Sequence, residues 1–503
     1  MNFTTIGAVY LSKVYSALIA VLLIPFVIDE VGYEAYGLVG LFTVIQACLN
    51  ILDVGVSGVL TRQSITSRTS KHKYQEFVKL FNKIIRFFIV ISISVSVIGI
   101  VIANLYGTEW LKTGLDESSV VFCLSSMFCV FAIKYIQGPF KSILLSSEKH
   151  KLISAINFVY ITLSQPFALL IIKNVSNDIS SYFIVQIVAV SVASVLFVYF
   201  GEIYKRKVIE TLPESTEENE PSNSLKEVLY FAVQLSFLSV LWIAVNQSDK
   251  LVLTATMELK EYTFYSVAFS VTALLTVLSE PVSQLLQPRL TRLINEEKYD
   301  EYGSLFYKFF QVISVISISL ASFIFFHGER LLYIWSGDVF LSEKSFQYLP
   351  WIFVGSTFTV LSNFCFLFRY STGQLGMHTK VYAAYSFLVI PSNVIIATLY
   401  LANGMAVFYA VTCSTLFFIW SGYNFVKYFS NGYKFFTHTL IPSISFSVLY
   451  FYIFSELISF PEKRFLQFSI LTIQGVICVI LLLTVQYLMS RKVHVRLNLR
   501  GSN

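Results

Sequence analysis

Nine ionisable residues stand out, because the sequence places them inside long apolar segments or at the ends of such segments. An ionisable side chain at membrane depth costs several kcal/mol unless it faces a cavity or a partner, so each is a candidate site residue. Carboxylates there can bind a proton or a cation, and guanidinium forks suit the oxygens of a phosphate. The nine candidates are Lys13, Asp53, Arg62, Lys134, Asp249, Lys250, Glu280, Arg289 and Arg369.

Eight of the nine candidates also have a structural interpretation, and the sequence leaves both interpretations open. Asp53, in DVGVSG, either binds a proton or a cation or holds freed backbone amides. Lys13 and Lys134 either attract an anion or extend to the membrane surface. Glu280 precedes a proline and so also marks a kink. Asp249 and Lys250 can pair with water or neighbours, and Arg289 and Arg369 can be ordinary basic residues at cytoplasmic helix ends.

Patterns for metal, cofactor and covalent chemistry are absent from the sequence. The six cysteines sit singly in apolar runs, and the six histidines lack HExxH spacing, so we expect neither a metal site nor a disulfide framework. GxxxxGK[ST] and GxSxG are also absent, which gives no indication of ATP hydrolysis or of a nucleophilic serine. We therefore predict no cofactor and no enzymatic activity.

The composition determines which elements must position these residues. The chain has 503 residues, of which 55% are hydrophobic and 13% charged, with a mean hydropathy of +0.68. A soluble protein carries about 25% charged residues, so a soluble enzyme, a secreted disulfide scaffold and a disordered chain are excluded. We predict an all-α polytopic membrane protein with fourteen spans, at 6–28, 36–60, 84–105, 118–139, 152–172, 180–200, 227–249, 262–287, 307–327, 346–368, 380–402, 404–426, 437–457 and 466–489.

The distribution of basic residues predicts the orientation. With the N-terminus inside, the inner segments hold 26 lysines and arginines and the outer loops hold seven. Basic loops stay cytoplasmic, so we predict both termini in the cytoplasm. The N-terminal segment lacks a basic n-region and a small-residue cleavage site, and we interpret it as a retained first helix.

A polar segment divides the predicted helices into groups. Residues 205–226 are acidic and rich in proline and serine, the composition of a flexible linker. We predict a six-helix lobe over 1–204, a cytoplasmic linker over 205–226, a second six-helix lobe over 227–426, and two extra helices with a basic tail over 427–503.

A weak repeat crosses this linker at an offset of 227 residues. It pairs an outer-loop acid, a mid-helix acid and an inner-end arginine in the two halves: Glu34 with Glu261, Asp53 with Glu280, and Arg62 with Arg289. Six helices separate the copies, so they would share one orientation, related by an axis along the membrane normal. Two lobes around a cavity fit an alternating-access transporter better than a channel.

Two segments resemble Wzx-type polysaccharide flippases of the superfamily that includes multidrug extruders and lipid II flippases. The first, residues 22–62, has LLIP, a GxxxYGL stretch and an LD-G-S-R pattern, and the second is SDKLVLTATMELKEYTFYSVA. The matching residues are Leu22 to Pro25, Gly32, Tyr36, Gly37, Leu38, Leu52, Asp53, Gly55, Ser57, Arg62, Asp249, Lys250, Tyr265 and Ser266.

The resemblance implies a function. It predicts a cationic cavity between the lobes and a substrate made of an oligosaccharide repeat unit, of O-antigen or another surface polysaccharide, on undecaprenyl diphosphate. It further implies the bacterial cytoplasmic (inner) membrane as location, with a polymerase and a chain-length regulator of the same pathway as candidate partners and no nucleic acid. Coupling to a proton or a cation at Asp53 is one option.

Two other functions stay open at this point. Drug or cation efflux predicts an acidic cavity, to which Asp53, Glu280 and Asp249 would contribute. A membrane-embedded polysaccharide polymerase or ligase is expected to carry a long outer loop with catalytic arginines. The longest outer segment, at about residues 328–345, has the single arginine Arg330, which counts against an enzyme.

Overall fold

A computed structural model describes residues 3–49, 56–213, 225–458, 460–490 and 495–498. Over these residues the backbone is almost entirely helical, and we number the α-helices in chain order. They are α1 (Phe3–Leu22), α2 (Ile24–Leu49), α3 (Val56–Thr66), α4 (Lys71–Trp110), α5 (Glu117–Tyr135), α6 (Gln137–Ser146), α7 (His150–Thr162), α8 (Ala168–Asn174), α9 (Ile179–Thr211), α10 (Leu225–Thr256), α11 (Leu259–Val271), α12 (Ala273–Asn295), α13 (Tyr299–Ser336), α14 (Val339–Phe346), α15 (Leu349–Ser371), α16 (Leu375–Leu416), α17 (Gly422–Tyr428), α18 (Ile441–Leu457) and α19 (Arg464–Ser490).

Eleven helical segments of the described residues are long and apolar enough to cross a membrane. The longest, Leu375–Tyr428, has 54 residues, about 80 Å of helix, against a hydrocarbon core of about 30 Å. It turns back at Leu401, whose φ is +52°, so that Trp420 Nε1 donates to His378 Nδ1 at 2.8 Å. This segment therefore provides two of the predicted spans.

Every predicted span contains a helix, and the all-α polytopic fold class is confirmed. Gly32 interrupts α2 with a φ of +82°, a conformation that glycine adopts without steric cost. This break falls between the first two predicted spans. On α4, the apolar side chains of Val90, Ile93 and Val97 are more than half exposed, as expected for residues that contact lipid rather than water.

The chain forms two compact units, Met1–Thr263 and Phe264–Asn503. In the first unit, rings and aliphatic side chains of α3, α4, α6 and α9 pack around Phe81 and Phe140, which meet edge to face at 5.6 Å. In the second unit, Phe306 of α13 packs against Phe425 and against Phe435. The predicted boundaries at 204 and 226 stay predictions.

A short C-terminal segment, 495–498, lies against the second unit. Leu497 pairs with Phe429 in an antiparallel bridge, and its backbone N–H donates to the Tyr299 carbonyl at 3.2 Å. The Arg496 carbonyl accepts from Ser430 N–H at 2.8 Å. Gly303 of α13 leaves room for this segment, because an added Cβ would overlap the Val495 backbone. These bonds attach the C-terminal segment to the N-terminal end of α13 and to the residues that follow α17.

Candidate functional site

Asp249 and Lys250 form a buried ion pair near the end of α10. Lys250 Nζ lies 3.1 Å from Asp249 Oδ1 and 3.3 Å from Oδ2. It also donates to the backbone carbonyl of Asn246 at 2.7 Å. Exposure is only 3% for Asp249 and 8% for Lys250. The two charges therefore compensate each other where either one alone would be poorly solvated.

The pair belongs to the first unit, where α10 packs against α2. The charge of Lys250 acts on the thiol of Cys48 in α2, so the ammonium group lies on the side of α10 that faces α2. Sequence analysis named both residues but left their partners open. The structure brings them together in one ion pair.

Lys134 occupies the last turn of α5, between two packed faces. The preceding residue, Ile133, accepts a hydrogen bond from Ser194 Oγ of α9 at 3.2 Å. The following residue, Tyr135, stacks on Phe88 of α4 with ring centroids 4.3 Å apart. The lysine itself is half-buried. Its neighbours in the chain thus contact α9 and α4.

The ammonium group of Lys134 has no carboxylate or hydrogen-bond partner among the residues that the structure describes. The charge that acts on it there is that of Lys141, which is also positive. A half-buried cation without compensation at membrane depth attracts an anionic ligand. Lys134 is therefore the strongest anion-binding candidate in the first unit.

Lys13 lies in the middle of α1, which packs against α7. Ser12 Oγ donates to the Ser154 carbonyl at 3.3 Å, and Tyr15 Oη lies 3.0 Å from Thr162 Oγ1. At 100° per residue, Lys13 points about a quarter turn away from Ser12. It is partly exposed.

Arg62 of α3 and Arg289 of α12 are both exposed. Within the described ranges, neither guanidinium makes a hydrogen bond or an ion pair. The helices that carry them agree with the predicted repeat: a shift of 227 residues places Thr66, the end of α3, two residues before Asn295, the end of α12. Both arginines are available to an anionic ligand.

The acids of the repeat are less informative. Glu280 of α12 is exposed and accepts a hydrogen bond from Gln284 Nε2 at 3.2 Å. Asp53 lies outside the described residues, and its role stays a prediction. In the described part of the chain, no group of three or more His, Cys, Asp or Glu side chains could hold a metal ion.

The guanidinium group of Arg369 is fixed by contacts within the protein. Its exposure is 3%. Nε donates to Asn424 Oδ1 at 2.8 Å, and Nη1 donates to Gln374 Oε1 at 2.7 Å. The guanidinium also lies 4.8 Å from the ring centre of Tyr428 and 5.3 Å from that of Trp420. These contacts join the end of α15 to α17, and a role in binding substrate stays a prediction.

Sequence analysis missed a polar network at one end of the first unit. Glu34 Oε1 accepts from Thr113 Oγ1 at 2.7 Å and from Gly114 N–H at 2.5 Å. In the same loop, Lys112 Nζ donates to the Thr256 carbonyl at 3.1 Å, and the Lys112 carbonyl accepts from Leu259 N–H at 3.0 Å. The loop between α4 and α5 thus joins α2 to the turn between α10 and α11. Residues 79 or more positions apart give no local signal of this contact.

The adjoining N-terminus of α5 is capped by a charged side chain. Asp116 accepts from the hydroxyl of Ser118 and, at 3.3 Å, from the backbone N–H of Ser119. These bonds, that of Ser118 first, hold the pKa of the Asp116 carboxyl below its usual range. The cap fixes the end of the loop that carries Lys112 and Thr113.

A second missed cluster lies where α3, α4 and α6 meet. Arg68 Nη2 donates to Ser146 Oγ at 3.0 Å and to Ser147 Oγ at 2.9 Å, while Ser64 Oγ lies 2.8 Å from Ser146 Oγ. Arg68 Nε is buried without a hydrogen-bond partner in the described structure. The adjacent serines Ser146 and Ser147 were the signal in the sequence, next to the basic residues already assigned to the inner side.

Comparison with known proteins agrees with this architecture. The fold defines an all-α, multi-pass membrane protein. Residues 4–294, which are more than half of the chain, match the family described as polysaccharide biosynthesis protein. The protein belongs to that family. No curated protein sequence matches the chain.

Solved structures with the same fold include the lipid II flippase MurJ in an inward closed conformation. It has a TM-score of 0.67 and 13% identity, over 97% of this chain and 99% of MurJ. An inward-facing multidrug resistance MATE transporter of the MOP superfamily has a TM-score of 0.63 and 13% identity, over 82% of this chain and 98% of its own. A MOP superfamily transporter from Pyrococcus furiosus has a TM-score of 0.56 and 12% identity, over 84% of this chain and 95% of its own. The predicted resemblance is confirmed by the family match and, for the fold, by these structures.

Proposed function

We propose that the protein moves undecaprenyl-diphosphate-linked oligosaccharide repeat units from the inner to the outer leaflet of the bacterial cytoplasmic membrane by alternating access. The observation that carries the proposal is Lys134, a half-buried cation without a compensating partner in the described structure, in a chain of the polysaccharide biosynthesis protein family. The fold of a lipid II flippase supports it.

The chemistry of such a substrate suits the described charges. A diphosphate needs cations to leave water. Among the described residues of the first unit, the side chains of Arg62 and Lys134 make no ion pair, whereas Asp249 and Lys250 compensate each other. Lys13 is a further basic residue of this unit. The prenyl tail would stay in lipid while the sugars occupy a polar cavity. Since the sequence has no ATP-binding loop, an ion gradient, the membrane potential or consumption of the product would drive the movement.

Cation or drug efflux is the second candidate, and one observation weakens it. That function needs uncompensated carboxylates, and Asp249 is already paired with Lys250 at 3.1 Å. Asp53 and Glu280 are the remaining acids of the three that sequence analysis assigned to it. The charge balance therefore favours an anionic substrate.

A polymerase or ligase is less well supported. The guanidinium of Arg330, the arginine of the longest outer segment, lies 3.7 Å from the ring centre of Phe460. A cation stacked on an aromatic face is already engaged in packing. We therefore assign Arg330 a structural role. In the proposed function a polymerase and a chain-length regulator of the same pathway are partners of this protein. Both of its termini lie in the cytoplasm.

The test is a deletion strain whose surface glycans and lipid-linked intermediates are measured in parallel. Loss of surface repeat units together with accumulation of lipid-linked units inside supports flipping. Single repeat units on the surface would instead indicate a polymerase, and unchanged glycans with altered drug tolerance would indicate efflux. Complementation with the wild-type gene, at matched protein level, is the control.

A further inference from the structure

The ammonium group of Lys250 has the surroundings of a bound cation. The oxygen atoms within 3.3 Å of Nζ include Oδ1 and Oδ2 of Asp249 and the carbonyl oxygen of Asn246. Carboxylate and backbone carbonyl oxygens are also the usual ligands of hard metal cations. The side chains of the pair are 5% and 10% exposed, so water contributes little to compensating the carboxylate.

The ammonium group cannot be exchanged for another cation, because it is part of the side chain of Lys250, the residue that follows Asp249. A carboxylate that couples transport to an ion gradient must alternate between an occupied and an empty state. Burial makes an empty, ionised Asp249 unfavourable, and the neighbouring ammonium fills the place beside it.

We propose that Lys250 acts as a fixed counter-ion in the place of an exchangeable cation at Asp249, so that removing its ammonium group while keeping the carboxylate creates a binding site for a monovalent cation such as Na⁺. The oxygens of Asp249 and Asn246 remain as ligands in such a variant. This inference concerns ion binding and is decided by a readout independent of the glycan substrate.

The experiment compares three purified proteins in detergent: wild type, Lys250→Met and the double variant Asp249→Asn/Lys250→Met. Thermal unfolding is followed while NaCl replaces choline chloride at constant ionic strength. A ligand that binds only the folded state raises its stability by mass action. For Lys250→Met we expect a saturable rise in Tm of at least about 3 °C with Na⁺, and binding of radioactive ²²Na⁺ at about one ion per chain.

The wild type and the double variant should show neither effect, because the first has its ammonium in place and the second has no carboxylate. A Na⁺ response of equal size in the wild type would overturn the proposal, as would the absence of a response in folded Lys250→Met. Lys250→Gln provides a second test, since it keeps a hydrogen-bond donor beside Asp249. If Lys250→Met and Lys250→Gln both fail to fold even in NaCl while Asp249→Asn/Lys250→Met folds, Asp249 does not recruit a cation and the proposal is wrong.

Discussion

Gly37 of α2 is in direct contact with Leu259, the first residue of α11. A Cβ atom added to Gly37 would lie 2.6 Å from Leu259 Cγ and 2.7 Å from its carbonyl oxygen. A hydrogen bond from Thr263 Oγ1 to the Tyr33 carbonyl, 2.6 Å long, lies one turn away. Together with the bonds of Lys112, this contact fixes the turn between α10 and α11 on the first unit.

We predict that Gly37→Ala weakens this attachment. The new methyl group meets backbone as well as side chain, so α11 must move, at a cost of about 1–3 kcal/mol. Thermal unfolding of the purified protein measures the loss. Gly58→Ala in α3 is the matched control, because nothing lies within 4 Å of its Cβ position. Equal destabilisation by the two substitutions would contradict the role of the Gly37 contact.

The charge of Lys134 is expected to be essential for the proposed activity. Lys134→Ala should reduce surface polysaccharide at least about tenfold, equivalent to about 1.4 kcal/mol of lost interaction, while Lys134→Arg should retain part of it. Glycan is quantified at matched protein level. Lys83→Ala, which removes an exposed lysine of α4, should have no effect. Normal polymer from Lys134→Ala would remove this residue from the site.

Arg369 is expected to contribute stability through the geometry of its guanidinium group. Arg369→Lys keeps the charge but replaces the two separate donor nitrogens, Nε and Nη1, by a single one, so we expect a loss of about 1–3 kcal/mol in unfolding free energy. Arg289→Lys, at an exposed position, should change it by less than about 0.5 kcal/mol. Wild-type stability of Arg369→Lys with loss of surface glycan would instead indicate direct contact with substrate.

Attachment of the C-terminal segment 495–498 should depend on Gly303. Gly303→Ala places a methyl group where the Val495 and Arg496 backbone lies, so we expect release of the segment. Digestion by a carboxypeptidase, followed by intact mass, should remove residues beyond 495 faster than in the wild type. Gly475→Ala in α19, with open space around its Cβ position, is the control. Unchanged digestion would show that the segment tolerates the side chain.

Much of the fold could be predicted from the sequence, because the cost of burying polar groups in lipid acts on each segment separately. Hydropathy placed a helix in every predicted span, including the two joined at Leu401, where a turn without a polar loop separates them. The repeat offset also agreed with the ends of α3 and α12. Local composition is sufficient for these features, since each span has to satisfy its own backbone hydrogen bonds.

The candidate site was only partly predictable. Asp249 and Lys250 were identified as charges in an apolar segment. Neighbouring residues on a helix point about 100° apart, so their adjacency in the sequence does not by itself predict an ion pair. Their pairing follows from the burial of both side chains. Arg369 had the signature of a basic helix end. Its burial between Tyr428 and Trp420 depends on the return of the chain after Leu401.

The sequence by itself therefore determined the class of protein, the place of its apolar helical segments and which charges lie in or beside them, because these depend on the transfer of each segment from water to lipid. Tertiary structure alone decided which of those charges are compensated. Lys250 has a carboxylate at 3.1 Å, Arg369 has an amide oxygen at 2.8 Å, and Lys134 has neither among the described residues. Compensation depends on distances of a few ångströms between side chains, and only the packing of the helices sets those distances.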